Sequence, residues 1–592
     1  MRRSDTFVLL SVLAAFANFA TFASVAVGSE VVPRHSLEVR LDPAAHRVAV
    51  VDDLVFPPGA PRDVDFLLNA AFRITRSAPA VREVPVGDVS PFFGNNGVAE
   101  PGKTVTLKRY RVSVPAGAAS ISLSFEGVVN DPLSDPKEQY TRGFRETSGL
   151  VGPEGVYLAG STFWVPVVDS GLMAFKLAVE APAGWHLISQ GNGTSRGDDG
   201  FARWDSAGPV DEIYLVGGPL HRYRDAAGKV EALAFLHEKD DALAAKYLVA
   251  TTQYVEMYRN LIGAYPYRKF ALVENFWETG YGMASFTLLG PQVIRFPFIL
   301  NSSYPHEILH NWWGNSVFVD YGRGNWCEGL TAYLADHLIQ EQRGKGDEYR
   351  RSTLQRYRDY VKDGRDFPLT EFRSRHSAAT EAVGYGKALM GFHTVRRTLG
   401  DETFRKVLRR FYADFRGKKT TFDDFRKTAE AVTGKDLRPL FDGWVTRPGA
   451  AELALASVKV RTDGSAWFVE GVLKQTQAGA PFRLSVPIAV QTARGAVSEE
   501  VVLEGPETRF SVKSAALPVA LVADPLFDVF RRLDPRETPP SLGQIFGDTK
   551  VLALLPASAS PDEQAAYRKL ALSWQSDSHA VEVKLDSDVA RL

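Results

Sequence analysis

Two hydrophobic periods divide the chain. From residue 35 to about 235, apolar and polar positions alternate, as in Leu37-Glu38-Val39-Arg40-Leu41 and in Val105 to Val112. Gly, Pro, Asn and Asp interrupt this region at short intervals, which predicts sheets joined by turns. At Asp240 the period lengthens. Apolar residues follow a helical spacing to Leu261, with Gly263 just beyond. The same spacing predicts helices over about 304–313, 328–343, 347–361, 380–399, 402–414 and 421–433. Alternation returns after Pro448-Gly449, in Phe468 to Leu473 and Leu484 to Val490, and predicts a small antiparallel sandwich. Beyond Asp534-Pro535 the pattern reads strand (551–555), helix (562–574), strand (580–585).

The pattern therefore predicts a multidomain α+β fold. Its parts are an N-terminal β-sheet domain (29–235), a helical domain (236–450), a C-terminal β-sandwich (451–533) and a linker with a short, incomplete α/β tail (534–592). Residues 1–28 are set apart. Basic Met1-Arg2-Arg3 precedes an uncharged, mostly apolar run from Thr6 to Gly28, the layout of a signal peptide or an uncleaved anchor. Export to the periplasm or the cell exterior is expected, with membrane contact only through an uncleaved N-terminal segment.

Composition narrows the classes. Across 592 residues, 69 Lys+Arg balance 70 Asp+Glu, and 45% of residues are hydrophobic. These values exclude a disordered chain and a strongly basic nucleic-acid binder. Cys327 is the sole cysteine, so neither an intramolecular disulfide nor a multi-cysteine metal site exists. Gly97 to Thr104 spells a phosphate-loop pattern, but the alternating segment after it predicts a turn between strands, not the required helix.

Chemistry concentrates in His306-Glu307-Ile308-Leu309-His310. Histidines at i and i+4 share one helix face and reach one cation. Glu307 stands where a carboxylate can touch a water on that cation. Pro305 suits a helix start and Ser302 or Ser303 can cap it. A hydrolytic zinc site needs a third ligand and an open position. Glu328, opening the next predicted helix, is the best candidate; Cys327 and Asp336 are alternatives.

The stretches HEILHNWWGN (306–315) and WCEGLTAY (326–333) resemble the M1 family of zinc aminopeptidases, with its pattern HExxHxWxGN followed by WLNEGFAxY. Tyr385-Gly386-Lys387 resembles the family's tyrosine segment, and FDGWVTRPG (441–449) its domain-closing segment. The resemblance implies a thermolysin-like catalytic domain, one zinc per chain and a peptide substrate. It implies His306, His310 and Glu328 as zinc ligands, Glu307 as general base and Tyr385 as stabiliser of the transition state.

Two departures stand out. One residue separates Trp326 from Glu328 where the family has two. The family's GAMEN stretch, whose Glu binds the substrate amine, corresponds to Tyr281-Gly282-Met283-Ala284-Ser285, with alanine in place of the Glu. Gly282, Met283 and Ala284 are expected to line the cleft, with Glu278 or Glu274 as a substitute amine anchor. The alternative function is an inactive peptide-binding scaffold on the same fold.

Overall fold

The computed structural model describes residues 32–589, apart from 90–91, 93–104, 116–117, 132–146, 170, 207, 227–228, 279, 363 and 577–578. The export segment 1–28 lies outside the described residues, as do positions 97–104 of the phosphate-loop pattern. Among the described residues no helix is long and apolar enough to cross a membrane.

The fold is multidomain α+β. In the N-terminal region a seven-stranded sheet has the strand Arg34–Asp42 near its middle, antiparallel to Arg47–Val55 and parallel to Ala174–Glu180. The inward positions of its alternating strands, including Leu37, Val39, Val50 and Phe125, form one apolar core.

A five-stranded sheet carries the chain into the helical region. Its order is His221–Asp225, Glu231–Leu236, Lys269–Glu274, Phe286–Leu289 and Gly280–Met283. The strands on either side of residue 236 thus belong to one sheet. The last of them, Gly280–Met283, is an edge strand that runs antiparallel to Phe286–Leu289. The helix Asp241–Leu261 is capped by the Asp240 side chain, which accepts a hydrogen bond from Leu243 N. The helical core is dense in large rings, with Trp312, Trp313 and Trp326 fully buried.

Three predicted helices differ in detail. The helix expected over 304–313 spans Ser303–Leu309 only. Beyond it the backbone turns to bond Asn315 N to His310 O and Val317 N to Trp312 O, which buries both tryptophans. Ser302 does not cap this helix; its hydroxyl donates back to Phe298 O at 3.0 Å. The helix expected over 328–343 begins at Cys327 and contains a π-helical turn at Tyr333–His337. The one expected over 380–399 contains another at Ala382–Lys387. A π turn adds a residue to the helix and re-aims the side chains on it.

The sandwich has two three-stranded sheets, one centred on Trp467–Gln475 and the other on Leu484–Thr492. Leu473, Val486, Ile488, Val490 and Val512 pack between them. In the tail, Lys550–Leu555 and Ala580–Leu585 pair in parallel, beside the helix Pro561–Leu572. The preceding helix, Leu542–Gly547, docks on the helix Gly346–Tyr360. A Cβ at Gly547 would lie 1.8 Å from Asp359 O, so only glycine permits this approach.

Candidate metal centre

The helix Ser303–Leu309 presents His306, and His310 follows at its C-terminal cap, so both rings share one face with centroids 4.9 Å apart. Glu328 enters from the first turn of the helix Cys327–Ala332, whose start is held by Asn325 Oδ1 accepting from Cys327 N. Its Oε2 lies 3.4 Å from His306 Nε2 and 3.5 Å from His310 Nε2. Ligand-type atoms of these three residues all lie within 4.8 Å of one another. The single-residue spacing between Trp326 and Glu328 therefore does not displace the carboxylate.

Glu328 Oε2 is buried and has no hydrogen-bond partner among the described residues. An orphaned buried oxygen aimed between two imidazole nitrogens is costly unless a cation satisfies it. Two nitrogens and one carboxylate oxygen are the donor set of a catalytic zinc site, which leaves a fourth position open. The residues present fit that ion.

The outer nitrogens are fixed as such a site requires. His306 Nδ1 sits 2.7 Å from Asp336 Oδ2, and His310 Nδ1 sits 3.2 Å from Trp313 O. A proton on each Nδ1 leaves each Nε2 lone pair directed at the shared point. Charge balance agrees. Burial lowers His306, yet Asp336 and Glu328 outweigh it and raise the group to about 10. Burial likewise opposes protonation of His310, and the Glu328 charge overcomes it. Burial raises Glu328, but the two imidazoles hold it well below the usual carboxylate range. The cluster thus attracts positive charge at its centre.

Asp336 and Cys327, the alternative third ligands, occupy other places. Asp336 is taken up by the far nitrogen of His306. Cys327 Sγ lies 3.4 Å from His310 Nδ1, on the side of that ring away from Glu328. The sequence did not reveal Asp336 as a partner of His306, because its direction depends on the π turn.

Glu307 is buried beneath the edge strand Gly280–Met283. A Cβ at Gly282 would lie 2.6 Å from Glu307 Oε2 and 3.1 Å from His310 Cβ. Asn315 Nδ2 donates to Gly282 O at 3.1 Å and pins the strand there. Burial raises the Glu307 carboxyl, against the pull of both imidazoles. Tyr385 stands on the π turn Ala382–Lys387, half-buried, its ring 6.3 Å from that of His306 and nearly parallel to it. The Arg375 guanidinium, which sequence reasoning did not single out, lies 5.6 Å from the Tyr385 ring.

The other expected cleft residues are placed differently. Strand alternation turns Met283 away from Glu307 into an apolar cluster with Tyr157 and Phe286. Ala284 is buried beside Ser285, whose φ of 68° is stabilised by its N–H donating to Asn311 Oδ1 at 2.7 Å. Glu278 is exposed and accepts from Gln292 N at 2.9 Å and Val293 N at 3.2 Å, capping a turn. Glu274 pairs with Arg295 at 2.6 Å and accepts from His237 N at 2.8 Å. Both carboxylates are already engaged.

The Peptidase family M1 domain model matches residues 302–444. The matched segment, residues 302–444, is similar to that family's domain. The match holds both histidines, Glu307, Glu328, Asp336 and Tyr385. Relatives include Aminopeptidase 2, mitochondrial, of Saccharomyces cerevisiae, 24% identical over 160 residues (24% of this chain, 16% of that protein). Another is Probable aminopeptidase 2 of Sulfurisphaera tokodaii, 19% identical over 300 residues (46% of this chain, 38% of that protein). The chain thus spans well under half the length of either. Among solved structures, a variant of an M1 zinc metallopeptidase from Deinococcus radiodurans shares the fold with a TM-score of 0.52 and 16% identity, over 71% of this chain and 94% of that one. The segment matched by the family model is thus set in a fold shared with that metallopeptidase.

Proposed function

We propose that this chain is an exported, zinc-dependent metallopeptidase of the aminopeptidase-like M1 type. The observation that carries the reading is Glu328 Oε2, buried and without a hydrogen-bond partner among the described residues, facing the Nε2 atoms of His306 and His310. These three residues would hold one zinc. Bound there, zinc lowers the pKa of water toward about 7 and polarises a scissile carbonyl.

The remaining steps belong to protein groups. Glu307 takes a proton from the attacking water and delivers it to the leaving amine. Its burial and its raised affinity for a proton suit both halves of that transfer. The Tyr385 hydroxyl donates to the oxyanion; loss of one such donor costs about 10²–10³ in rate. The edge strand Gly280–Met283 offers a backbone on which an extended peptide can pair.

The relatives are named aminopeptidases, whereas Ala284 supplies no charge for a substrate amine. The same alanine is the observation behind the second reading, a peptide-binding scaffold. Export rests on the basic start and apolar run of residues 1–28. The test is Glu307→Gln against a peptide library with free and blocked amino termini. Zinc is expected to be retained and hydrolysis abolished. Hydrolysis at the wild-type rate removes Glu307 from the mechanism.

A further inference from the structure

A buried polar network joins the end of the sandwich region to the metal centre. Asp528 follows the strand Pro518–Ala523. Its Oδ1 lies 3.0 Å from Arg350 Nη2 and 2.8 Å from His393 Nε2, and its Oδ2 lies 3.2 Å from Arg397 Nη1. Asp528 is itself fixed from behind. Its N–H donates to Asp524 Oδ1 at 2.6 Å, and Asp524 is paired with Arg531 at 2.9 Å.

Two of these partners continue to opposite ends of one π turn. His393 Nδ1 lies 3.0 Å from the Tyr333 hydroxyl, at the start of Tyr333–His337. Arg350 Nη1 lies 2.8 Å from His337 Nε2, at its end. One protonation pattern satisfies every link. Arg350 donates to His337, the Tyr333 hydroxyl donates to His393, and His393 donates to Asp528. Between the two anchored ends stands Asp336, which holds His306 Nδ1 at 2.7 Å.

We propose that Asp528 is a positioning residue for the zinc ligand His306. A π turn is a rare one-residue insertion into a helix, found frequently at functional sites. Here one carboxylate, supplied from outside the M1 domain, ties down both ends of the turn. The placement of Asp336, and through it the orientation of the His306 ring, follows. Buried ion networks contribute little net stability but do select one arrangement among several. The inference rests on the reading of His306 as a zinc ligand.

The test uses the full chain carrying Asp528→Asn, with Asp336→Asn as reference. Arg397→Gln serves as control, because Arg397 touches Asp528 and neither end of the π turn. Three quantities are read: zinc affinity by competition with a chromogenic chelator, the visible spectrum of the cobalt-substituted protein, and the thermal midpoint. Asp528→Asn is expected to weaken zinc binding in the same direction as Asp336→Asn, by no more than the about 10–100-fold of that direct partner of His306. It is expected to shift the cobalt spectrum as Asp336→Asn does. Arg397→Gln is expected to lower the thermal midpoint alone. Should Asp528→Asn fail to fold, Tyr333→Phe removes the hydroxyl, with its link to His393 and the bond it accepts from Arg396 Nη1 at 3.3 Å, and is expected to move affinity and spectrum the same way. Wild-type affinity and spectrum in the variant that folds overturn the proposal. A wild-type chain that binds neither ion overturns the peptidase reading, and this inference with it.

Discussion

Gly282 and Glu307 are packed so closely that a methyl group on Gly282 would stand 2.6 Å from Glu307 Oε2. The strand Gly280–Met283 can approach the Glu307 carboxylate only because it carries no side chain there. Alanine at 282 must push Glu307 aside or lift the strand. Displacing a reacting group by about 1 Å costs on the order of 10² in rate. Gly282→Ala is therefore expected to lower kcat/KM by about that factor at saturating zinc, a condition the assay needs because the same methyl would stand 3.1 Å from His310 Cβ.

Asp336 holds the outer nitrogen of His306 at 2.7 Å. Asp336→Asn keeps the shape and removes the charge. Zinc affinity is expected to fall by about 10–100-fold. Activity should return when excess zinc is supplied, which separates loss of metal from loss of a catalytic group. Chelator competition read against activity at saturating zinc checks both halves.

Zinc that binds only the folded chain stabilises it by mass action. At a free concentration one hundred times its Kd, the gain is about 2.7 kcal/mol. Calorimetry of chelator-treated protein, with and without added zinc, should show an upward shift in Tm. Glu328→Ala should abolish the shift.

The buried Lys269 gives stability a pH slope. Burial lowers its pKa from 10.5 to about 7, against a raising influence from Glu231. Its Nζ donates to Ser189 O at 2.9 Å and to Ser285 Oγ at 2.7 Å. Between about pH 7 and 10.5 the unfolded chain binds more protons at this site than the folded one. Stability from this group therefore rises with pH across that window and is flat and lowest below it. Lys269→Met lacks the slope. Urea midpoints at pH 7 and pH 9.5 should diverge less in the variant than in the wild type.

Much of the site was legible in the sequence because its signals are local. Histidines four apart in a helical pattern fix a shared face, and the next helix opens on a carboxylate that the structure brings beside them. The alternating strands and the sandwich were legible for the same reason, since one face of each must be buried. What escaped depended on tertiary contacts. The π turns at Tyr333–His337 and Ala382–Lys387 leave no periodic trace, so the orientation of Asp336 was hidden. Met283 was expected at the cleft, yet alternation from Gly282 sends it into the core. Glu274 and Glu278 were expected near a substrate amine, but Arg295 and the Gln292–Val293 turn engage them. A continuous sheet across residue 236 was equally invisible, because strand pairing between Glu231–Leu236 and Lys269–Glu274 skips a whole helix.

The most direct measurement is the zinc content of the full chain purified without chelators, beside Glu328→Ala and His310→Ala. Close to one zinc per wild-type chain and a near-complete loss in both variants are expected. Less than half an equivalent in the wild type, or variants that keep their zinc, contradicts a metal centre built from His306, His310 and Glu328.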